Sequence, residues 1–207
     1  MKLVFASNNA HKLSEVRAMM PAGIEVLSLH EIGFEAEIEE TGKTLEENSL
    51  IKAKAVWDWI VESRKSKVES IDGVFADDTG LEIDALNGEP GVYTARWAGS
   101  PAANRAKALR ELEGKDNREC QFRTVITLLM NGDAPLNGGM IQVEGIVRGR
   151  IAEQEFGEGG FGYDPVFIPE GYDKTFGELP AELKNHISHR ARAIQELIRV
   201  LNDGMME

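Results

Sequence analysis

Two kinds of apolar segment alternate along this chain, and their alternation limits the fold more than any other feature. Runs of consecutive or alternating apolar residues are typical of strands, whereas three- and four-residue spacing is typical of amphipathic helices. The strand-like segments lie at residues 2–6, 24–29, 73–77, 81–86, 122–130, 139–147, 151–156 and 165–168. Helix-like segments separate several of them. The pattern predicts an α/β fold with a mixed sheet.

Several predicted helices begin at recognisable capping residues, namely Thr44 with Glu47, Ser100 with Pro101, and Ser188. Thr44 and Glu47 have the spacing of a capping box, and their helix is predicted to run to about Arg64. Proline is favoured at the first position of a helix, which Pro101 occupies if Ser100 is the N-cap. Another helix follows the first strand directly, with apolar residues at helical spacing from Leu13 to Met20.

The composition is that of one globular domain. The chain has 207 residues, of which 42% are hydrophobic, and this suits a single domain at residues 1–207 with two lobes. No apolar run is long enough to span a membrane. The apolar run in Met1–Ala6 is too short for a signal peptide, and Cys120 is the only cysteine. We therefore expect a cytoplasmic protein without disulfides.

The chain is strongly acidic, with a formal net charge of −12. A surface of this sign repels a phosphate polymer, so nonspecific binding of nucleic acid is disfavoured. A small anionic ligand remains compatible with it, provided that positive groups cluster locally and a divalent cation assists. Carboxylates in excess are also the ligands that a hard metal ion requires.

A glycine-rich segment, Glu158–Pro165, surrounds Phe161, Tyr163 and Asp164 with glycines such as Gly162. Glycine permits positive φ and lets a ligand approach the backbone closely. An aromatic face and a carboxylate in such a loop suit a flat heterocycle with hydrogen-bonding edges. A tight turn around a buried phenylalanine is the alternative.

A polar turn joins the first strand to the first helix and consists of Ser7, Asn8, Asn9, Ala10, His11 and Lys12. Backbone N–H groups at a helix start bind phosphate, and serine and asparagine side chains add donors. Lys12 supplies a point charge for a phosphoryl oxygen. The spacing is not that of a Walker A motif. An ordinary capped turn is the alternative for this segment alone.

Two acidic segments could bind a metal ion. Asp77 and Asp78 lie at the end of the predicted strand at residues 73–77, and Glu39 lies before the second long helix. Magnesium typically uses one or two carboxylates together with substrate phosphates, so one carboxylate from each segment would suffice. Solvated acidic turns are the alternative for both.

Basic residues lie at two further places. Asn48 and Lys52 are four residues apart on one face of the second long helix, from which Lys52 could reach a phosphate. Near the C-terminus, Lys184 precedes His189 and Arg190. The last two lie in the first turn of a helix, where positive charge is unfavourable unless an anion or a carbonyl oxygen lies nearby. A basic surface cluster is the alternative.

Taken together, these motifs stand in one characteristic order: Ser7-Asn8-Asn9-x-x-Lys12, Glu39-Glu40-Thr41-Gly42, Asn48-x-x-x-Lys52-Ala53, Ala76-Asp77-Asp78-Thr79-Gly80-Leu81, Gly88-x-Pro90-Gly91-x-Tyr93-x-Ala95-Arg96, Gly159-Gly160-Phe161-Gly162-Tyr163-Asp164-Pro165, Lys184 and Ile187-Ser188-His189-Arg190. In these motifs, and over nearly its whole length, the chain closely resembles the inosine/xanthosine triphosphate pyrophosphatases, the Ham1-like or RdgB-like nucleotidases.

The resemblance implies hydrolysis of ITP, dITP and XTP to the monophosphate and pyrophosphate, with Mg²⁺ as cofactor. It also implies a homodimer and an elongated, two-lobed α/β fold, in which helices flank a mixed central sheet and the active site lies in a cleft between the lobes. By matching motifs, Asp78 becomes the general base and a metal ligand, and Glu39 the other metal ligand. Thr79, Lys52 and residues 7–12 are then expected at the phosphate and sugar end. The base end is expected to comprise Phe161, Gly162, Tyr163, Asp164, Lys184, His189 and Arg190.

Two other functions remain open from the sequence. A Maf-like nucleotide pyrophosphatase would act on pyrimidine or modified nucleotides, and the matches at residues 161–164 and 189–190 argue against it. A non-catalytic nucleotide sensor could use the same pocket, but it would not need the acids Asp78 and Glu39.

Overall fold

The computed structural model of the protein describes residues 1–63, 70–130 and 139–204. In chain order, its elements are β1 (Lys2–Phe5), α1 (Ala10–Met19), β2 (Glu25–Leu27), α2 (Leu29–Ile32), α3 (Leu45–Ser63), β3 (Gly73–Ile83), β4 (Pro90–Gly91), α4 (Pro101–Glu111), β5 (Glu119–Met130), β6 (Met140–Ile151), β7 (Phe167–Pro169), α5 (Ala181–Ile187) and α6 (His189–Gly204). A short 3₁₀ turn, Asp84–Leu86, follows β3.

The described strands form a mixed sheet in the order β2-β1-β3-β5-β6-β7, with β4 paired to β3. Strand β1 is parallel to both β2 and β3, whereas the pairs β3–β4 and β6–β7 are antiparallel. The predicted α/β fold with a mixed sheet and flanking helices is therefore confirmed. Among the described helices, none combines the length and the apolar character needed to cross a membrane.

The chain divides into two compact units. Unit 1 comprises Met1–Asp78, Val125–Glu144 and Ala193–Glu207, and unit 2 comprises Thr79–Thr124 and Gly145–Arg192. Strands β3, β5 and β6 and helix α6 contribute residues to both. Neither unit is therefore a contiguous segment of the sequence.

Unit 1 has apolar clusters that hold its strands and helices. In one of them, the rings of Phe5 and Phe75 stack with centroids 5.0 Å apart, and buried α6 residues such as Leu197 pack there. In the other, Val4 and Val74 lie in a cluster with Ala53 and Val56 of α3. Helix α3 is thus fixed through its apolar side.

Unit 2 has an aromatic core. Phe122 of β5 packs edge-on against Phe167, with centroids 4.7 Å apart, and Phe167 stacks on Phe176 at 5.3 Å. Cys120 belongs to the same cluster and is fully buried. Burial raises the pKa of its thiol well above the usual range, which agrees with a structural role.

The predicted helix starts are confirmed. Thr44 Oγ1 accepts from the Glu47 amide at 3.1 Å, while the Glu47 carboxylate accepts from Lys43 N rather than from the cap residue itself. Ser100 caps α4, with Pro101 at its first turn, and Ser188 Oγ accepts from Ala191 N at 3.1 Å. The predicted end of α3 at about Arg64 falls outside the described residues.

Three strand and helix predictions were wrong. The segments at 73–77 and 81–86 were expected to be separate strands, but β3 runs unbroken through Asp77 and Asp78, each of which has a lysine partner. The segment 152–156 is not a strand, since β6 ends at Ile151. Helix α5, which carries Lys184, was not predicted at all.

Candidate active site

Two clusters of polar side chains contain most of the predicted site residues. The first, which we call the acid–lysine cluster, lies in unit 1 and consists of Lys12, Glu40, Lys52, Asp77 and Asp78. The second, the aromatic–cation cluster, lies in unit 2 and consists of Thr79, Phe161, Asp164, Lys184, His189 and Arg190.

In the acid–lysine cluster, Lys12 is paired with Asp77. The Lys12 ammonium donates to Asp77 Oδ1 at 2.9 Å, and Asp77 is only 1% exposed. Asn9 caps α1 by accepting from Lys12 N at 3.0 Å, so the start of the helix fixes the lysine backbone. Sequence reasoning did not assign this role to Asp77, because its partner is 65 residues away.

Lys52 joins two acids in the same cluster. Its ammonium lies 3.2 Å from Asp78 Oδ1 and 3.3 Å from Glu40 Oε1. Glu40 is therefore the acid of its segment that contacts Lys52, and its neighbour Glu39 is exposed. The predicted role of Glu39 as a metal ligand stays a prediction.

The charge balance around Asp78 is incomplete. Burial raises the pKa of Asp78, and the carboxylates of Glu40 and Asp77 add to this effect, whereas Lys52 and Lys12 oppose it without reversing it. Burial alone would lower the pKa of Lys52, but the carboxylates of Asp78, Asp77 and Glu40 outweigh it and raise that pKa. The lysine therefore stays charged while the acids compete for it.

A buried oxygen of Asp78 tests whether a cation fits here. Its Oδ2 atom accepts no hydrogen bond from any described residue, although an unsatisfied buried acceptor is costly. A carboxylate oxygen of this kind, with a second acid at Glu40, suits a hard cation such as Mg²⁺. Among the described residues there is no group of three or more His, Cys, Asp or Glu side chains that could hold a metal ion. A cation here would need ligands from elsewhere, such as substrate phosphates.

Asn48 fixes the acidic segment to helix α3. Its Oδ1 accepts from Gly42 N at 2.8 Å, and the side chain is fully buried. A Cβ at Gly42 would lie 2.6 Å from that Oδ1 atom, so only glycine fits there. Because Asn48 and Lys52 are one turn apart on α3, one helix positions both the lysine and the segment that carries Glu40. The sequence showed the Asn48–Lys52 spacing but not the bond to Gly42.

The rest of the predicted phosphate-binding turn is accessible. Asn8, Asn9, Ala10 and His11 are exposed, and Ser7 Oγ accepts from Asn9 N at 3.2 Å. These contacts shape the turn between β1 and α1. They leave the side chains of Asn8 and His11 on the surface, where the structure does not test their predicted contact with a ligand.

In the aromatic–cation cluster, Phe161 lies against two cations. The Lys184 ammonium is 4.7 Å from the ring centroid, and the Arg190 guanidinium carbon is 5.8 Å from it. Lys184 also donates to Asp164 Oδ2 at 2.6 Å, and the same oxygen accepts from Phe161 N at 2.7 Å. Asp164 thus holds both the lysine and the backbone of the aromatic residue.

Arg190, His189 and Thr79 complete this cluster. Arg190 is 1% exposed, and its Nη2 donates to Thr79 Oγ1 at 3.4 Å. His189 stacks on Phe122 with ring centroids 4.6 Å apart. Lys184, His189 and Arg190 are all buried, which contradicts the alternative of a basic surface cluster.

The remaining predicted residues of the glycine loop differ in their environment. The Tyr163 hydroxyl donates to Thr94 O at 2.9 Å inside the core, and burial raises the pKa of that phenol well above its usual range. Its side chain is therefore structural, and only its backbone could contact a ligand. Gly162 has φ of +61°, which glycine adopts without strain.

Buried lysines beside buried carboxylates, on a mixed α/β sheet, favour a binding site for a charged small molecule. The model of the Ham1 family matches residues 3–200, and the chain therefore belongs to the Ham1 family. It is 48% identical over 204 residues to a dITP/XTP pyrophosphatase of Flavobacterium johnsoniae, covering 97% of this chain and 98% of the relative. It is 45% identical over 204 residues to a dITP/XTP pyrophosphatase of Bacillus subtilis, covering 96% of each.

A solved structure agrees with this assignment. The structure of the Staphylococcus aureus Ham1 protein matches with a TM-score of 0.79 and 38% sequence identity, covering 98% of this chain and 99% of that chain. The predicted resemblance is confirmed by these matches.

Proposed function

We propose that this protein hydrolyses noncanonical purine nucleoside triphosphates (ITP, dITP and XTP) to the nucleoside monophosphate and pyrophosphate, and so removes them from the nucleotide pool. The observation that carries the proposal is the buried Asp78 carboxylate, with one oxygen beside Lys52 and the other without a partner among the described residues. Its relatives named dITP/XTP pyrophosphatase support the substrate class.

In this mechanism Asp78 accepts a proton from water. The water oxygen attacks the α-phosphorus, the bond from that phosphorus to the bridging oxygen breaks, and pyrophosphate leaves. The raised pKa of Asp78 makes its ionised form a stronger base than an ordinary carboxylate. A proton on Asp78 abolishes this role, so turnover falls as pH falls through that pKa.

The lysines of the acid–lysine cluster bind the polyphosphate. A triphosphate carries about four negative charges near neutral pH, and Lys12 and Lys52 neutralise part of them and stabilise charge on the leaving group. Mg²⁺, held by Asp78 and by Glu39 or its neighbour Glu40, would supply further positive charge to the phosphate oxygens. The metal, the homodimer and the cytoplasmic location are predictions that follow from the family resemblance.

The aromatic–cation cluster selects the base. Hypoxanthine and xanthine present a 6-oxo acceptor, which suits donors from His189 and Arg190, and Phe161 offers a face for stacking. Adenine presents a 6-amino donor and would leave buried donors unpaired, which costs about 1–3 kcal/mol for each group. We therefore expect discrimination of roughly 10–100-fold or more.

Pyrophosphate release across a panel of nucleoside triphosphates tests the proposal. With Mg²⁺, the protein should release pyrophosphate from ITP, dITP and XTP at least roughly tenfold faster than from ATP. Excess EDTA should abolish release, and added Mg²⁺ should restore it, because the phosphate charge is no longer neutralised without the metal.

Three other outcomes would contradict it. Orthophosphate as the product would point to a different nucleotidase. Preference for pyrimidine or modified nucleotides would favour the Maf-like activity. Tight nucleotide binding without turnover, measured by calorimetry on the same preparation, would favour a sensor.

A further inference from the structure

Arg105 connects helix α4 to the glycine-rich loop of unit 2. Its Nη1 donates to the carbonyl oxygen of Gly162 at 2.9 Å, in a partly buried position. Its Nε lies 3.0 Å from Glu155 Oε1, without the alignment of a hydrogen bond. The planar guanidinium thus contacts the chain at two points, seven residues apart, with Gly157, Gly159 and Gly160 between them.

The segment that Arg105 contacts has little other regular structure. Residues 152–166 contain no helix or strand, and residues 153–160 are exposed. Gly160 and Gly162 both have positive φ, at +72° and +61°. Glycines of this kind leave the backbone many alternative conformations, so specific contacts, both within the segment and from outside it, decide which one it adopts.

Phe161 stands between two fixed points of this segment. On its own amide, Phe161 N donates to Asp164 Oδ2 at 2.7 Å. One residue further, the Gly162 carbonyl is held by Arg105. The direction of the Phe161 ring, against which Lys184 and Arg190 lie, depends on the backbone at both points.

Burial separates Arg105 from an ordinary surface ion pair. Its side chain is 17% exposed, although Glu155 is 43% exposed. By comparison, Arg148 and Asp84 form a surface pair in the same unit in which the two side chains are 42% and 39% exposed. Exposed pairs of that kind contribute little, whereas a partly buried guanidinium on a carbonyl orients the group that it binds.

We propose that Arg105 is a positioning residue for base recognition, which acts by holding the Gly162 carbonyl and thereby orienting Phe161. Glu155 assists by keeping the guanidinium in place. The inference rests on the proposed function for its substrate and assigns a role to a residue that does not itself contact the nucleotide. Loss of Arg105 therefore weakens binding of the base and leaves the chemistry at Asp78 intact.

Steady-state kinetics of Arg105→Met with ITP and ATP test this role, because methionine keeps much of the length without the donors. The KM for ITP should rise roughly 5–20-fold with kcat within about twofold, since uniform binding is lost. The ratio of kcat/KM for ITP to that for ATP should fall. Arg105→Lys should recover part of the loss, because it keeps one donor for Gly162 but not the planar pair.

Arg148→Met is the matched control, since it removes an arginine of unit 2 from the exposed pair with Asp84. It should leave KM, kcat and the ITP-to-ATP ratio unchanged. An unchanged KM in Arg105→Met would overturn the proposal. The proposal would also be overturned if kcat and the melting temperature of Arg105→Met both fell while KM and the ITP-to-ATP ratio stayed constant, because that result indicates a structural role alone.

Hydrogen–deuterium exchange of the protein without nucleotide gives a readout that does not depend on activity. Peptides that cover residues 157–163 should exchange faster in Arg105→Met than in the wild type and in Arg148→Met. Unchanged exchange there contradicts the positioning role. If the wild type hydrolyses no triphosphate of the panel, the proposed function fails, while this experiment still decides whether Arg105 holds the loop.

Discussion

Asp78 illustrates, at the scale of single residues, how a site can oppose stability. Its pKa is raised chiefly by burial, so the folded protein holds a proton on this carboxyl more tightly than the unfolded chain does. Above the ordinary carboxyl pKa the ionised side chain therefore destabilises the fold, and the effect grows until pH passes the raised pKa. Asp77, with Lys12 at 2.9 Å, is the opposite case, because its charge is compensated.

Asparagine substitutions at these two neighbours should separate function from stability. Asp78→Asn should lower kcat by roughly 10²–10⁴-fold, the range for a lost general base, and yet raise the melting temperature at pH 7 in EDTA. The gain should vanish as pH falls below about 4, where the unfolded carboxyl is protonated too. Lys52 retains Glu40 as a partner in this variant.

Asp77→Asn should instead lower the melting temperature, because it removes the buried negative charge that pairs with Lys12. The loss should be about 1–3 kcal/mol, below the full value for a buried pair since Lys12 is 16% exposed. Differential scanning calorimetry and pyrophosphate release measure both variants. Near-wild-type turnover in Asp78→Asn would exclude Asp78 from the mechanism. A melting temperature of Asp78→Asn below that of the wild type would contradict the electrostatic argument.

At the scale of elements, the start of α3 both begins the helix and holds the acidic segment, and different residues are responsible for each. Thr44 accepts from Glu47 N and begins the helix. Asn48 accepts from Gly42 N and holds the acidic segment. Ser49 ties the same turn to β5 through a 2.6 Å hydrogen bond to Thr127. The helix is therefore anchored independently of the bond to Gly42.

Alanine substitutions should distinguish the two tasks. Thr44→Ala should reduce the free energy of unfolding by about 1 kcal/mol, the usual effect of a lost cap, with kcat/KM within about twofold. Asn48→Ala should reduce kcat/KM for ITP by roughly 10–100-fold, because the segment with Glu39 and Glu40 is misplaced. Urea unfolding and steady-state kinetics measure both. Equal effects of the two variants on kcat/KM would refute this division.

The elements show what local sequence can predict. Caps at Thr44, Ser100 and Ser188 were predicted correctly, because each bond spans only three residues. The course of β3 through Asp77 and Asp78 was not, since the lysines that contact these carboxylates lie 65 and 26 residues away. Local pattern describes short-range bonds, whereas buried charge depends on long-range partners.

The site residues follow the same division. The family resemblance named Asp164 and Lys184, but their direct pairing at 2.6 Å required the fold. The bond from Arg105 to Gly162 spans 57 residues, and no motif marks it. The sequence spacing alone could not decide whether Glu39 or Glu40 is the metal ligand, because side chains of adjacent residues in an irregular segment have no fixed direction.

At the scale of the whole molecule, the chain passes between its two compact units at residues 78, 124, 144 and 192. A single domain with two lobes was predicted for residues 1–207, and these repeated passages explain why composition shows no boundary between the units. Each unit needs residues from distant parts of the sequence. Truncation from either end to a point between residues 79 and 191 therefore removes parts of both.

The buried thiol of Cys120 can report on unfolding of the protein. A colorimetric disulfide reagent can react with this cysteine only after the core of unit 2 opens, since the side chain is 0% exposed and burial suppresses the thiolate. We expect a labelling rate at least roughly 10³-fold below that of a free thiol, accelerated by urea in parallel with unfolding. Fast labelling in buffer would show that this core opens locally. If labelling of Cys120 is slow, as expected, a cysteine introduced on the surface can be tagged selectively without removing Cys120.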